Sequence, residues 1–203
     1  MYDIGVIHGR FQVPHNDHLR YLLAGKALCR HLVVGITNPD PSLTAEVAAD
    51  RKRSSALANP LTFYERLVIL RDVLLEAGVS QSETTIVPLP ITHPDLYRHY
   101  VPLDAVFLLS ICDDWGRHKL GQFQSLGLKT HVLWDVPPEQ KGISGTEVRQ
   151  AMIDGQPWEH LTPAATVRHC RAWNIAGRLR GLVSPVPETS PGERATRKPC
   201  SLF

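Results

Sequence analysis

The sequence GRFQVPHNDH, residues 9–18, joins a short apolar run to a helical pattern, and the predicted fold follows from it. The apolar run at residues 4–7 predicts a buried strand, and leucines recur at helical spacing from Leu19 to Leu28. A strand that passes through a glycine-containing turn into a helix brings backbone N–H groups and the positive end of the helix dipole to one point. The sequence therefore predicts an anion-binding turn at residues 9–18.

Two histidines, His15 and His18, lie one helical turn apart at the start of the predicted helix. Side chains at this spacing share one helix face, so both rings can contact the same bound anion. The spacing alone leaves two further interpretations open, namely a solvated helix face and a pair of metal ligands. Phosphate chemistry is therefore one hypothesis among three on this evidence.

The composition is that of an ordinary globular protein. The chain has 203 residues, of which 43% are hydrophobic and 21% are charged, and its net charge is +2. Because the charges are nearly balanced, the strong basic bias of a nucleic-acid-binding protein is missing, and we expect no nucleic-acid partner. The four cysteines form no C-x-x-C pair, so neither a zinc knuckle nor a disulfide framework is predicted.

The length suits one domain, which we expect to span residues 1–183. Residues 184–203 are rich in Pro, Ser, Thr, Glu and Arg, and we expect them to form a disordered or extended tail. The first residues carry no signal-peptide pattern, and no apolar run reaches the length of a membrane span. We therefore expect a cytoplasmic protein with no membrane partner.

Strand and helix patterns alternate along the chain. After the first strand, apolar runs predict further strands at residues 32–36, 85–89, 105–109 and 130–134. Beyond the first helix, helical signals lie at residues 62–78, 122–126, 143–155 and 163–175. This alternation predicts an α/β fold with a doubly wound, Rossmann-like parallel sheet.

Two connections are candidate ligand sites. Residues 41–59 make an unusually long loop for a compact domain, which favours either a solvated excursion or a lid over a substrate. Residues 110–115 follow the most apolar strand, and ligands bind at the carboxyl ends of strands in open α/β sheets. The acids Asp113, Asp114 and Asp135 either assist a metal ion or are solvated loop residues.

A second motif, ISGTEVR at residues 143–149, begins a helix. Ser144 and Glu147 have the spacing of a capping box, which by itself indicates only a helix start. Together with residues 9–18, this motif resembles the HxGH superfamily of nucleotidyltransferases. The similarity extends to residues 59–66 and 152–158, and the branch that the chain resembles most is the archaeal-type nicotinamide mononucleotide adenylyltransferases.

The resemblance implies transfer of a nucleoside monophosphate from a Mg²⁺-bound nucleoside triphosphate to a phosphate oxygen of an acceptor, with release of pyrophosphate. His15, His18 and Arg10 would be the catalytic residues, since they can donate hydrogen bonds and positive charge to phosphates. Mg²⁺ is the expected cofactor, with no protein metal ligand implied. Six further residues would bind the nucleotide or its phosphates: Gly9, Phe11, Gln12, Ser144, Thr146 and Arg149.

The sequence departs from the family pattern at three positions near the nucleotide. Asp17 stands where the HxGH motif has glycine, and an acidic side chain would repel an anion if it pointed inward. Asp17 therefore either points away or orients a histidine. His8 replaces an aliphatic residue, and Ala58 replaces a basic one.

The acceptor side departs further. The nicotinamide branch has a Gly-Asn pair after the central strand and a Trp that stacks on nicotinamide, and this chain has neither at the matching positions. The departures resemble the phosphonate-antibiotic cytidylyltransferases, which use CTP to activate phosphonoformate. The candidates for the acceptor or base pocket are Asn38, Tyr97, Ser110 and Trp115.

Three functions are therefore considered. The first is nucleotidyl transfer to a small phosphate or phosphonate, with CTP and phosphonoformate as the narrower version. The second is a nicotinamide or nicotinate mononucleotide adenylyltransferase, with Trp115 as the stacking residue. The third is a regulator that binds nucleotides without catalysis, which the retained motif residues disfavour. The expected partners are a nucleoside triphosphate and the small acceptor, and a homo-oligomer stays open.

Overall fold

Five parallel strands form one β-sheet at the centre of the computed structural model, which describes residues 1–41, 55–140 and 142–183. The strands follow one another in the order β3-β2-β1-β4-β5, and every neighbouring pair is parallel. This order confirms the predicted doubly wound sheet. The strand bounds are β1 Tyr2–Gly9, β2 Cys29–Ile36, β3 Thr84–Pro88, β4 Val106–Ile111 and β5 Lys129–Asp135.

The α-helices cover the two faces of the sheet. Their bounds are α1 Asn16–Leu28, α2 Phe63–Glu76, α3 Asp114–Ser125, α4 Gly145–Asp154, α5 Ala164–Ala172 and α6 Ile175–Val183. Short 3₁₀ turns lie at Gln81–Glu83, Pro94–His99, Pro138–Gln140 and Glu159–Leu161. Within the described ranges, no helix has both the length and the apolar character that crossing a membrane requires.

The sheet is buried on both faces because successive side chains of a strand point to opposite sides. Ile7 of β1 packs with Leu22 of α1 and Leu70 of α2 in one apolar cluster. Its neighbour Val6 packs with Phe123 of α3 in the cluster on the other face. A third apolar cluster joins α2 to α4, α5 and α6, so the last helices belong to the same core.

The strands β1 and β4 separate near their carboxyl ends. The pairing of β1 with β2 continues to Gly9, opposite Ile36, whereas its pairing with β4 stops at Ile7, opposite Leu108. The Tyr21 hydroxyl donates to the Leu108 carbonyl at 3.0 Å, where the strand pairing has ended. The connections from β1 and β4 leave in opposite directions here, and such a switch point opens a ligand-binding crevice.

The helix α3 begins earlier than predicted. It begins at Asp114, not near residue 122, because the Asp113 carboxylate caps it by accepting from the Gly116 N–H at 2.9 Å. Asp135 lies 3.3 Å from Arg117 in an exposed ion pair. Asp113 and Asp135 thus both have structural roles, and aspartate is a residue type that favours the N-cap position.

The single helix predicted at residues 163–175 is two helices, α5 and α6. Asn174 separates them, since its φ of 49° lies in the left-handed region. Asparagine tolerates this conformation better than most residues. Its side-chain oxygen also accepts from the Gly177 N–H at 3.2 Å, so the residue that ends one helical path helps to begin the next.

Two predictions fall outside the described residues. The long loop predicted at residues 41–59 lies mostly in residues 42–54, and the predicted tail is residues 184–203. The lid hypothesis and the tail hypothesis both stay predictions.

We expect Asn174→Ala to lower the free energy of unfolding by about 1–2 kcal/mol, because alanine loses the cap and strains the backbone. Asn174→Gly should cost only a few tenths of a kcal/mol, since glycine adopts the left-handed conformation freely. Urea denaturation of the two variants beside the parent chain measures both values. Equal losses in the two variants would contradict this account of the break.

Candidate active site

The turn after β1 folds its aromatic side chain inward. Phe11 has a φ of 54° and is fully buried, and its ring meets the His18 ring edge-on with centroids 5.0 Å apart. A Cβ atom on Gly9 would come within 2.8 Å of the Phe11 ring. Gly9 thus makes room for Phe11, and Phe11 supports His18 from inside. The prediction that Phe11 contacts the nucleotide needs correction because its ring is fully buried, whereas contact by Gly9 stays a prediction.

The Gln12 side chain is also used within the protein. Its amide nitrogen donates to the Leu61 carbonyl at 2.8 Å, and its amide oxygen accepts from the Leu61 N–H at 2.9 Å. Gln12 is buried, so its side chain is not available to a nucleotide. This corrects its predicted role: Gln12 ties the first motif to the segment that leads into α2.

His15 and His18 lie together, as predicted. Their rings stack with centroids 3.6 Å apart and an interplanar angle of 27°. His15 is the N-cap residue of α1, and its backbone N–H donates to His18 Nδ1 at 3.3 Å. Because Nδ1 accepts this bond, we assign the proton of a neutral His18 to Nε2.

Burial, and then the charges of His15 and Arg10, lower the pKa of His18 well below its ordinary value. His18 is thus neutral near pH 7 in this state, with its Nε2–H as a donor. A bound anion would raise the pKa again. Arg10 thus acts electrostatically on His18.

The second motif forms the predicted capping box at the start of α4. The Ser144 hydroxyl accepts from the Glu147 N–H at 3.1 Å, and the Glu147 carboxylate accepts from the Ser144 N–H at 3.4 Å. Thr146 is exposed on the first turn. The capping role of Ser144 uses one acceptor site of its oxygen and leaves its O–H able to donate.

Arg149 joins the two motifs and is not an exposed phosphate clamp. It is buried, and its guanidinium donates to the Gln12 carbonyl and, at 3.1 Å, to the Thr146 hydroxyl. Burial lowers the pKa of Arg149. The side chain thus holds α4 against the first motif, and its contact with the nucleotide or its phosphates stays a prediction.

Arg66 is the largest fully buried side chain in the described ranges, and its role was not predicted from the sequence. It is 1% exposed and carries no ion pair there, and it donates instead to backbone carbonyl oxygens. The five bonds go to Thr62 (3.2 Å), Arg10 (2.9 Å), Thr37 (2.7 Å), Asn38 (2.8 Å) and Pro39 (3.4 Å).

These five carbonyls lie in three segments: the turn after β1, the end of β2 and the start of α2. Burial first, and then repulsion from Arg10, lower the pKa of Arg66 to about 10, so it stays charged at neutral pH. The signal was present in the sequence, since Arg66 stands at helical spacing with Ile69, Leu70 and Val73 on the apolar stripe.

Among the candidates for the acceptor pocket, Tyr97 is corrected. It is 1% exposed, and its hydroxyl donates to the Ile91 carbonyl at 2.6 Å within the core that contains Phe123. A ligand has no access to this ring.

The other three candidates stay at the carboxyl edge of the sheet. Asn38 has a φ of 49° and is half-buried, and Ser110 lies at the end of β4 with its hydroxyl 3.5 Å from Cys112 Sγ. Trp115 lies in the first turn of α3 and stacks on His118 with centroids 5.4 Å apart. All three are half-buried, so contact with a ligand there stays a prediction.

His8, which stands where the family pattern has an aliphatic residue, is a core residue. It is 4% exposed, and its ring meets Phe123 edge-on with centroids 5.3 Å apart. Neither ring nitrogen has a hydrogen-bond partner within the part of the chain that the structure describes. Burial, and then Lys119, lower the pKa of His8, so the ring is neutral.

Comparison with known proteins gives a consistent result. The sequence family described as cytidylyltransferase-like matches residues 6–151. The chain is 49% identical over 176 residues to a phosphonoformate cytidylyltransferase of Streptomyces viridochromogenes, covering 87% of this chain and 95% of that protein. It is 30% identical over 188 residues to a nicotinamide-nucleotide adenylyltransferase of Thermococcus sibiricus, covering 89% of each.

Among solved structures, the fold is similar to a bifunctional NMN adenylyltransferase/ADP ribose pyrophosphatase of Francisella tularensis. The TM-score is 0.63 at 18% sequence identity, over 89% of this chain. The chain spans about half of that longer protein, 53% of its length. At this level of identity, the likeness concerns the fold alone.

Replacing Arg66 by Met keeps the length of the side chain but removes its five N–H donors. We expect Arg66→Met to lower the free energy of unfolding by about 3–5 kcal/mol, because buried carbonyls are left without partners. The exposed Arg71→Ala in the same helix is the control and should change stability by less than about 0.5 kcal/mol. Urea denaturation measures both, and similar values for the two variants would show that Arg66 does not hold these segments together.

Proposed function

This chain belongs to the cytidylyltransferase-like family and is a nucleotidyltransferase, and on that basis we propose that it transfers a cytidylyl group from CTP to phosphonoformate. An oxygen of the acceptor would attack the α-phosphorus, the bond from that phosphorus to the bridging oxygen would break, and pyrophosphate would leave with the electron pair. The observation that carries the proposal is the joining of the two motifs beside the crevice between β1 and β4.

In this proposal, the protein acts by positioning and by stabilising charge, because an in-line transfer needs no covalent enzyme intermediate. His18 would donate its Nε2–H to the phosphates, and Arg10 would add positive charge at the same place. Ser144 and Thr146 would donate their hydroxyls from the start of α4, where free backbone N–H groups also favour an anion. Arg149 and Gln12 would hold the two groups of donors at a fixed separation.

Mg²⁺ is the proposed cofactor. In the described residues, no group of three or more His, Cys, Asp and Glu side chains could hold a metal ion, and Asp113 is engaged as a helix cap. This donor set fits an ion that is bound mainly by the triphosphate and water, as is common for Mg²⁺ in nucleotide enzymes. When bound there, the ion would neutralise phosphate charge.

Two features favour a small anionic acceptor. The aromatic ring of Tyr97 is buried in the core, so that residue cannot stack on a nicotinamide ring. The greater sequence similarity to the Streptomyces relative also supports a phosphonate acceptor. We propose that residues 1–183 act as one catalytic unit on these two small substrates, without a nucleic acid.

A second candidate function is nicotinamide or nicotinate mononucleotide adenylyltransferase. It is favoured by Trp115, a half-buried ring at the first turn of α3, next to the end of β4, where it could stack on a pyridine ring. A regulator without catalysis is disfavoured, because the stacked histidines and the hydroxyls of Ser144 and Thr146 are all in place.

Pyrophosphate release measured with each of ATP, CTP, GTP and UTP against phosphonoformate and the two mononucleotides separates these functions. We expect turnover with CTP and phosphonoformate to exceed every other pair, because the Tyr97 ring is buried in the core and cannot stack on a nicotinamide ring. Robust ATP-dependent turnover of either mononucleotide, with none of phosphonoformate, would replace this proposal by the second candidate. Nucleotide binding without turnover of any pair would favour the regulator.

His18→Ala should lower kcat by about 10²–10³-fold, because its donated bond strengthens as charge develops in the transition state. The affinity for CTP, measured by calorimetry, should change far less, since the ground state depends less on this donor. His31→Ala is the control, since His31 lies on β2 away from the motifs and bonds Thr85 at 2.8 Å. Unchanged kcat in His18→Ala would show that the motif has been misread.

A further inference from the structure

The acidic residue at the glycine position of the first motif reaches across to the second motif. Asp17 lies in the first turn of α1, and its Oδ2 accepts from the Ile143 backbone N–H at 2.6 Å. Ile143 directly precedes Ser144, the N-cap of α4. A carboxylate that accepts a short bond of this kind forms one of the stronger hydrogen bonds in proteins.

This bond completes a pair of attachments around the donors of the second motif. Ile143 is held to α1 on the chain side before Ser144, and Arg149 is held to the Gln12 carbonyl after Thr146. The two hydroxyls therefore lie on a short stretch that is fixed at both ends to the first motif. In the described ranges, the Asp17 bond is the hydrogen bond that links α1 to the residues just before Ser144.

Gly142 shows how closely the carboxylate packs on this loop. A Cβ atom at Gly142 would clash with Asp17 Oδ2, and the nearest atoms that it would meet all belong to that carboxylate. Gly142 does not have a left-handed backbone conformation, so this contact is what a side chain there would disturb. Asp17 and Gly142 thus form one packed contact between the motifs, which we call the strap.

We propose that Asp17 is a positioning residue, whose carboxylate fixes the 142–144 segment so that the second-motif hydroxyls face the same phosphates as His15 and His18. Its charge is directed to a backbone N–H and lies at the positive end of α1, which offsets the repulsion of a bound anion. The catalytic consequence rests on the proposed function. Errors of about 1 Å in the placement of such donors can cost about 10²-fold in rate.

The first test compares two substitutions at one position. Asp17→Ala removes the acceptor, and we expect kcat/KM to fall about 10- to 100-fold. Asp17→Asn keeps an oxygen acceptor of the same shape and should retain most of the parent activity. Parent kinetics in Asp17→Ala would overturn the proposal, and so would equal losses in the two variants, since charge and not the bond would then matter.

The second test approaches the strap from the loop. Gly142→Ala should displace the Asp17 carboxylate and lower kcat/KM as Asp17→Ala does. Gly121→Ala is the matched control, because a Cβ there meets nothing within 4 Å. The double variant Asp17→Ala with Gly142→Ala should be no slower than the slower single variant, since both remove one interaction. Multiplying losses would mean that the two residues act separately and would overturn the strap.

A third measurement does not depend on turnover. Hydrogen exchange at the Ile143 amide should be faster in Asp17→Ala and close to the parent rate in Asp17→Asn, with thermal melting reporting any global loss of fold. If the parent chain turned over no substrate pair, the proposed function would fail while this measurement still tested the strap. Unchanged exchange in Asp17→Ala, with the fold intact, would overturn the strap itself.

Discussion

The site depends most on the hydrogen bonds that the buried guanidinium of Arg66 donates. A charge removed from water is costly unless it is fully hydrogen-bonded, and Arg66 meets that condition with carbonyls alone. The carbonyl groups at the ends of β1 and β2 have no further strand to pair with, so they need donors from elsewhere. One side chain from α2 supplies them. The carboxyl edge of the sheet is thereby held in one arrangement, and the turn that carries Arg10 is part of it.

Around this edge, the first and second motifs are held together by side chains that face inward. Phe11 supports the His18 ring, Gln12 binds the segment before α2, and Arg149 binds the Gln12 carbonyl. These residues therefore hold the proposed donors in place. Fixed donors need little reorganisation when charge develops on a phosphoryl group, which is how positioning contributes to catalysis in this family's chemistry.

The alternation of apolar runs was enough to predict the parallel sheet, and the spacing of Ser144 and Glu147 was enough to predict their capping box, because both depend on local sequence patterns. The placement of His15 beside His18 followed from helical spacing in the same way.

The direction of a side chain in an irregular turn does not follow from spacing, which is why Phe11 and Gln12 were assigned to the nucleotide. Tyr97 was misplaced for a related reason: its position in the sequence does not show that its ring and hydroxyl both find partners in the core. Arg66 was readable as a cation on an apolar stripe, but its carbonyl partners lie in other segments and could be identified only in three dimensions.

The contact between Asp17 and Ile143 shows how an acidic residue can stand beside an anion site. Glycine at position 17 would leave the space beside the start of α1 empty, whereas aspartate fills this space with its carboxylate. The carboxylate accepts from a backbone N–H of the second motif, and its negative charge also lies near the positive end of α1. Its charge is therefore balanced locally before any substrate arrives. A departure that looks unfavourable in the sequence thus becomes a link between two segments that are 126 positions apart. The proposed chemistry belongs to the donors that this link would hold, and the predicted acceptor pocket lies apart from them, at the end of β4 and the start of α3.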